Sequence, residues 1–296
     1  MIAKSWIYVS GDRPDRFAKA ATCGANAVLI DLEDAVFGRN KGIARENVVQ
    51  WLASRQPSNV AIWVRVNSGD RGAEDVVAVA RPGLTGICLP KTGSLAQIVE
   101  VADLLQAAEV RQELPRGMFK ITPLVETASA LIQINEIASA PRVSQLQIGE
   151  VDLAADMGIE VGEKEFELLY ARSMVVMASA ATGILPPVGA VSTDFKNLAD
   201  LRASSMALKA MGFVGRACIH PAQVEVVNDV FSPTTDEVTR AQDVLGRLSS
   251  AAREGSGLAI DVNGKMIDEA SARWARRVLG LGPPTADASS VERSRG

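Results

Sequence analysis

The sequence predicts an α/β protein of the (β/α)8 TIM-barrel class with a C-terminal helical appendage that serves as a lid or an oligomer contact. Three observations predict this fold. Short apolar runs, about eight in number, recur at helix-sized intervals along the 296 residues. A polar residue capable of chemistry follows nearly every run. Hydrophobic residues make up 47% of the chain and aromatic residues only 4%, which suits a barrel core of layered aliphatic side chains.

The apolar runs have the length of buried parallel strands. They lie at 6–9, 27–30, 61–66, 86–89, 121–125, 146–148, 188–191 and 215–219. The polar residues after them are Asp31, Glu33, Asp34, Arg65, Asn67, Lys91, Glu126, Glu150, Asp152, Asp194 and His220. In a barrel, these positions share one face, the face that carries active sites. A doubly wound open sheet is the alternative, but it concentrates polar residues at one switch point.

The chain divides into three segments by pattern. Residues 1–232 are predicted to form the barrel, and residues 233–280 the lid or oligomer segment. That segment is expected to hold two helices joined by a turn-rich hairpin. Residues 281–296 are polar after a Gly- and Pro-rich break, which predicts a disordered tail.

Composition excludes several classes of protein. The net charge of −4 and the scattered basic residues disfavour a nucleic-acid partner. No apolar run approaches the roughly 20 residues that cross a bilayer, and the first ten residues lack the apolar core of a signal peptide. We therefore expect a cytoplasmic protein with no membrane partner. The three cysteines show no metal-ligand spacing, and the single histidine, His220, leaves little room for a His-based site.

Two charged features call for partners. Asp31, Glu33 and Asp34 follow one strand directly, and their mutual repulsion requires cations nearby. Lys41 and Arg45 on the next helix are the expected counter-ions, and a divalent metal is the alternative. Arg65 lies inside an apolar strand, so it must point at an anion. An ion pair with the acidic cluster and substrate binding both remain open.

Glu126 and Asp152 end neighbouring strands of the predicted barrel. Adjacent strands lie about 5 Å apart, so the two carboxylates can converge on one cation. Mg²⁺ fits because it needs only one or two protein carboxylates beside water and substrate oxygens. Arg16 and Lys19 lie one turn apart at the same face, where they form either a phosphate-contacting pair or a solvated basic edge.

The motifs resemble those of the citrate lyase β-subunit-like and malyl-CoA or citramalyl-CoA lyases, within the HpcH/HpaI aldolase superfamily. The resemblance covers residues 1–280 with the motif order preserved. The matching stretches are SGDRPDRF (10–17), DLEDAV (31–36), Lys41 with Ala44 and Arg45, VRVN (64–67), LPK (89–91), ETA (126–128), GEVDL (149–153), GRACIHP (215–221) and GKMID (264–268). One departure is Ser10, where the family commonly has Pro.

The resemblance implies a Mg²⁺-dependent barrel that forms homo-oligomers, trimers or dimers of trimers, and acts on an acyl-CoA thioester. It implies that Glu126 and Asp152 hold the metal, that Arg65 binds the substrate carboxylate, and that Arg16 and Lys19 contact CoA phosphates. We also expect Glu33, Asp34 and Lys91 to line the substrate and CoA site. Asp268 would lie on a lid that enters a neighbouring protomer's site and exchanges a proton there, although an Asp at a helix start is also a preferred N-cap.

The leading functional hypothesis is a lyase that reversibly cleaves a β-hydroxyacyl-CoA, such as citramalyl-CoA or malyl-CoA, into acetyl-CoA and a 2-oxo acid. The first alternative is a citrate lyase β subunit that uses an acyl-carrier-protein thioester. A malyl-CoA thioesterase or a malate-synthase-like enzyme is the second. A non-catalytic CoA-binding protein is the third, and it is disfavoured because Arg65, Glu126 and Asp152 are all present.

Overall fold

Eight parallel strands close into a barrel in chain order, which confirms the predicted (β/α)8 class. The structure is a computed structural model, and it describes residues 2–281. The barrel strands are β1 (Ser5–Ser10), β2 (Ala27–Asp31), β3 (Ala61–Arg65), β4 (Gly86–Leu89), β5 (Lys120–Val125), β6 (Gln145–Ile148), β7 (Leu185–Gly189) and β8 (Gly215–Cys218).

Helices follow the strands and surround the barrel. They are α1 (Phe17–Thr22), α2 (Lys41–Ser54), α3 (Gly69–Val79), α4 (Leu95–Arg111), α5 (Ala128–Ile132), α6 (Ile134–Ala138), α7 (Glu150–Met157), α8 (Leu169–Thr182), α9 (Leu198–Met211) and α10 (Pro221–Phe231). Short 3-10 turns occur at Pro14–Arg16, Gly38–Asn40 and Phe166–Leu168. Within residues 2–281, no helix combines the length and the apolarity needed to cross a bilayer.

The strands are buried on both faces, since one face lines the barrel interior and the other packs against the helices. A small interior cluster fills the barrel; it consists of Trp6, Ala27, Leu29, Trp63, Cys88, Leu124 and Val188. The ring centroids of Trp6 and Trp63 lie 5.1 Å apart. The larger aliphatic cluster lies between strands and helices. The interior is therefore a packed core, and chemistry is confined to the rim where the strands end.

Strand β7 differs from the predicted 188–191 and begins three residues earlier. Its sequence contains Pro186 and Pro187, which have no N–H to donate to a ladder. Their carbonyls are used instead: Pro186 O accepts a 2.6 Å bond from Gln145 Nε2, and Pro187 O accepts a 3.1 Å bond from the Val214 N–H. Two consecutive prolines can thus begin a barrel strand when only acceptors are required there.

Residues 232–281 form a compact unit separate from Ile2–Phe231. It contains α11 (Thr235–Arg253), the two-stranded hairpin β9 (Ala259–Ile260) and β10 (Met266–Ile267), and α12 (Glu269–Val278). A capping box between Thr234 and Glu237 begins α11. The predicted disordered tail, 281–296, lies outside the described residues except for Leu281.

Candidate active site

Asp31 and Arg65 form a buried bidentate ion pair where β2 and β3 end. Arg65 Nε and Nη2 donate to the two Asp31 carboxylate oxygens at 2.7 and 2.6 Å. The same oxygens accept the backbone N–H groups of Glu33 and Ala35, each at 2.9 Å. The Asp31 carboxylate is therefore fully occupied and 1% exposed. Its role in this geometry is to fix the orientation of the guanidinium.

Arg65 retains one nitrogen, Nη1, that Asp31 does not use. This atom lies 3.2 Å from Glu33 Oε2 and 3.8 Å from Asp34 Oδ2. Although burial opposes the charge, the hydrogen bonds to Asp31 raise the pKa of Arg65 above its ordinary value. The structure thus shows the ion pair with the acidic cluster, in which Nη1 faces Glu33 and Asp34 rather than Asp31.

The prediction that Lys41 and Arg45 are the counter-ions of the acidic cluster is wrong. Lys41 Nζ instead donates to the Leu32 and Glu33 backbone carbonyls at 3.2 and 3.0 Å, and to the side chain of Asn67. Arg45 pairs with Asp75 at 2.6 Å and with Glu74 at 2.9 Å. Both cations lie on α2, which packs beside α3. Lys41 therefore holds the backbone of the acidic loop, whereas Arg45 links α2 to α3.

Lys91 is the second counter-ion, and it contacts three acids of the rim. Its Nζ lies 2.7 Å from Glu33 Oε1 and 3.6 Å from Asp34 Oδ1. Its backbone N–H donates to Glu126 Oε1 at 2.6 Å. The residue adopts a left-handed backbone with φ +48°, an uncommon conformation for a non-glycine residue. This turn after β4 directs the N–H and the ammonium to different carboxylates.

Glu126 follows β5 and is almost fully buried. Burial raises the pKa of Glu126 to about 7, and the negative charges of Glu33 and Asp152 add to the shift. The hydrogen bond from Lys91 to Oε1 opposes it. The second oxygen, Oε2, accepts no hydrogen bond from the described residues. Gly149 makes room for it, because a Cβ there would lie 2.8 Å from Oε2.

Asp152 lies in the first turn of α7, exposed at the rim and close enough for its charge to act on Glu126. Within residues 2–281, no group of three His, Cys, Asp or Glu side chains is arranged to hold a metal. Glu126 and Asp152 could serve as two protein donors to a metal, with water or substrate oxygens as the remaining ligands. That set fits Mg²⁺, which keeps several non-protein oxygens. A cation here would also relieve the crowding of negative charge around Glu126.

Two other rim residues, Glu150 and His220, bind other parts of the chain. Glu150 forms a bidentate pair with Arg172 of α8, at 2.5 and 2.8 Å, and Arg172 also binds Glu165 at 2.8 Å. The sequence does not predict Arg172 as the partner of Glu150, because Arg172 lies on a helix beyond an intervening loop. His220 Nδ1 accepts the Ala222 N–H at 3.1 Å, so this nitrogen holds a local turn.

The predicted phosphate contacts, Arg16 and Lys19, are both exposed where α1 begins. Neither side chain has a hydrogen bond or an ion pair with another described residue. Ser10, at the end of β1, lies within bonding distance of Asp12 Oδ1 (2.7 Å) and of the Ala35 carbonyl (2.9 Å). Its hydroxyl thus ties this turn to the acidic loop, a link that a Pro at this position could not make.

Asp268 is the N-cap of α12 in the C-terminal unit. Its Oδ1 accepts the Ser271 N–H at 3.0 Å and lies 3.2 Å from the Ser271 hydroxyl. These bonds lower the pKa of Asp268, led by the one from the Ser271 backbone. The capping role expected for this residue is present, and its catalytic role remains a prediction.

Residues 4–221 match the HpcH/HpaI aldolase/citrate lyase family, and the chain belongs to it. The citrate lyase subunit beta of Leuconostoc mesenteroides subsp. cremoris is 32% identical over 95% of this chain and 93% of its own length. The L-malyl-CoA/beta-methylmalyl-CoA lyase of Cereibacter sphaeroides is 29% identical, with 92% of each chain covered. A (3S)-malyl-CoA thioesterase from the same species is 32% identical, with 93% of each covered.

Among solved structures, the protein CitE from Mycobacterium tuberculosis, in complex with magnesium, acetoacetate and coenzyme A, is similar in fold. Its TM-score is 0.75 at 30% identity, and the match covers 94% of this chain and 97% of that one. The family and the relatives named as lyases confirm the predicted class of enzyme, a carbon–carbon lyase.

Proposed function

We propose that this protein is a Mg²⁺-dependent lyase that cleaves a β-hydroxyacyl-CoA into acetyl-CoA and a 2-oxo acid, and that can run the reverse condensation. One observation carries the proposal: a buried carboxylate, Glu126, keeps one oxygen free of hydrogen bonds at the rim that also holds Asp152 and the edge of Arg65 that Asp31 does not bind. The relatives named above and the magnesium and coenzyme A in CitE support it.

In this proposal, Glu126 and Asp152 hold the cation. Bound there, Mg²⁺ supplies Lewis-acid polarisation of the substrate hydroxyl and carboxylate oxygens. Lys91 keeps Glu126 Oε1 in place through its backbone N–H. Gly149 leaves the space that Oε2 occupies. Both residues therefore hold one carboxylate in a fixed position before a ligand arrives.

Arg65 is assigned to the carboxylate of the 2-oxo acid unit. Its Nη1 edge is the part that Asp31 leaves available, and the rigid pairing means that little reorganisation is needed on binding. The substrate carboxylate would approach near Glu33 and Asp34, whose charges are balanced by Lys91. Arg16 and Lys19, exposed at the same end of the barrel, are proposed to contact CoA phosphates.

Among the described residues, the acids of the rim are paired or assigned to the metal, so none of them is left as a general base. We assign this role to Asp268 of a neighbouring subunit in a homo-oligomer. Asp268 is partly exposed and its lowered pKa keeps it ionised, so it can accept a proton from the acetyl methyl group in the condensation direction. In the cleavage direction, the same carboxyl returns the proton to the acetyl carbon.

The thioesterase relative favours a second candidate, hydrolysis of the thioester to a free hydroxy acid and CoA. The identity of the products distinguishes the lyase from the thioesterase. Purified protein is incubated with Mg²⁺ and either malyl-CoA or citramalyl-CoA, and the products are identified by mass spectrometry. The lyase gives acetyl-CoA with glyoxylate or pyruvate. Release of free CoA with the intact hydroxy acid would instead establish the hydrolase.

A parallel incubation offers the same acyl group on an acyl carrier protein. Faster cleavage of the carrier thioester than of the CoA ester would identify a citrate lyase β subunit. The Glu126→Ala variant controls for contaminating enzymes, because it removes the buried metal ligand while the rest of the rim stays in place. Absence of every product in the wild-type protein would contradict the proposed function.

A further inference from the structure

Tyr8 closes the barrel interior at the active-site end. It lies on β1, packs against the interior apolar cluster and is partly exposed, whereas most of that cluster is fully buried. The guanidinium carbon of Arg65 lies 5.4 Å from the Tyr8 ring centroid. The charges of Arg65, Asp31 and Glu126 all act on the pKa of Tyr8, which burial raises above its ordinary value. A neutral phenol therefore forms part of the floor of the site.

The hydroxyl of this phenol contacts a buried amide, the side chain of Gln147. The Tyr8 hydroxyl is 3.3 Å from Gln147 Oε1. Strands β1 and β6 are not neighbours in the barrel, so this contact spans the interior. Gln147 is in register with the apolar residues Leu124 and Val188 on the adjacent strands. Its Nε2 is buried and has no hydrogen-bond partner among the described residues.

The orphaned nitrogen points to the opposite amide orientation. A half-turn of the amide exchanges Oε1 and Nε2, two atoms that are told apart by their hydrogen bonds. After this half-turn, Gln147 Nε2 donates to the Tyr8 oxygen. The buried atom without a partner is then the Gln147 carbonyl oxygen instead of the N–H₂ group. Unpaired buried carbonyls are better tolerated than unpaired N–H groups. In this orientation the Tyr8 oxygen accepts a hydrogen bond from Gln147, so its single O–H is free to donate to a ligand in the site.

We infer that Tyr8, hydrogen-bonded to Gln147, is a specificity-determining residue that donates a hydrogen bond to the side group of the 2-oxo acid. The carboxylate and the hydroxyl of the substrate are already served by Arg65 and by the cation at Glu126. The third substituent of the carbinol carbon, which is the side group of the 2-oxo acid, is therefore the group that Tyr8 would contact. The favoured substrate class is a 2-oxo acid whose side group carries an oxygen acceptor, in preference to a purely alkyl one. This inference rests on the proposed function for its substrate class.

Hydroxypyruvate and 2-oxobutanoate test it, because their hydroxymethyl and ethyl side groups are close in size and differ in one acceptor oxygen. Binding of each acid is measured by calorimetry with Mg²⁺ present, and condensation with acetyl-CoA is measured in parallel. We expect the wild-type protein to favour hydroxypyruvate about tenfold, the order of one hydrogen bond. Tyr8→Phe keeps the ring beside Arg65 and removes only the hydroxyl, so the ratio should fall to about one through weaker hydroxypyruvate binding.

Gln147→Leu should also lower the preference for hydroxypyruvate over 2-oxobutanoate, since it removes the amide that contacts the Tyr8 hydroxyl. Tyr170→Phe is the matched control, because Tyr170 is the other tyrosine of the chain and is 72% exposed on α8. A wild-type ratio near one, binding of neither acid, or equal losses for both acids in Tyr8→Phe would overturn the inference. Binding preference without turnover would contradict the proposed lyase function and leave the role of Tyr8 supported.

Discussion

Asp31 holds Arg65 through two hydrogen bonds of 2.7 and 2.6 Å, and both side chains are buried. This pair decides what the arginine can do, because it fixes the guanidinium plane and leaves only Nη1 for another anion. The ion pair and the substrate contact, which the sequence leaves open as alternatives, are thus compatible in one geometry.

Removing Asp31 should destabilise the barrel strongly. Asp31→Ala leaves a buried guanidinium without its anion, which costs about 3–5 kcal/mol of unfolding free energy. Urea denaturation followed by circular dichroism measures the change. Asp229→Ala is the control, because Asp229 pairs with Arg202 at 2.6 Å on the surface, and exposed pairs contribute at most about 1 kcal/mol. Equal losses in the two variants would show that burial of the Asp31 pair is unimportant.

Arg65→Lys should preserve the fold and lose most of the activity. A lysine can pair with Asp31, but its single nitrogen cannot hold both Asp31 oxygens and a substrate carboxylate in a fixed plane. We expect the KM for pyruvate or glyoxylate in the condensation direction to rise at least tenfold. Unchanged kinetics in a folded variant would remove Arg65 from the substrate site.

The Glu109–Arg142 pair predicts a pH dependence of stability away from the active site. Glu109 accepts two bonds from Arg142, at 2.7 and 2.8 Å, and the backbone N–H groups of Gly117 and Phe119. The bonds from Arg142, followed by those backbone bonds, lower the pKa of Glu109 to about 2. A lowered folded-state pKa stabilises the protein above the unfolded pKa, and this stability is lost as the pH falls toward 2.

Glu109→Gln should therefore be less stable than the wild type at pH 7, and the difference should narrow from about pH 5 downward. Denaturation of both proteins at pH 7, 5 and 3 measures it. Glu46→Gln, an exposed position on α2, is the control for the general effect of losing one carboxylate. A difference that stays constant to pH 3 would contradict the assigned pKa.

The sequence predicts the barrel well because most strands are short apolar runs, and a polar residue after nearly every run marks the rim. It fails where partners come from distant parts of the chain. Lys41 and Arg45 follow the acids in sequence, yet Arg65 and Lys91 from the next strands neutralise them. The left-handed backbone of Lys91 has no local signal, since glycine is the usual residue in that conformation.

Asp268 is predicted to act in a neighbouring subunit. Asp268→Asn and Glu126→Ala should each be inactive alone, because one lacks the base and the other the metal ligand. Mixing them under conditions that exchange subunits should restore part of the activity, since some sites would then combine an intact barrel with an intact Asp268. Mass spectrometry of isotope-labelled subunits confirms the exchange. No recovery despite exchange would place Asp268 within its own subunit's site or leave it a helix cap only.

Direct Mg²⁺ titration tests the central claim that Glu126 and Asp152 share one cation. Calorimetry of the wild-type protein should show one Mg²⁺ per chain, and turnover of the thioester should follow its occupancy. Glu126→Ala and Asp152→Ala should each weaken Mg²⁺ binding and abolish turnover, and Glu46→Ala should change neither. Full Mg²⁺ binding and full metal-dependent turnover in the protein that carries both substitutions, Glu126→Ala and Asp152→Ala, would contradict the account.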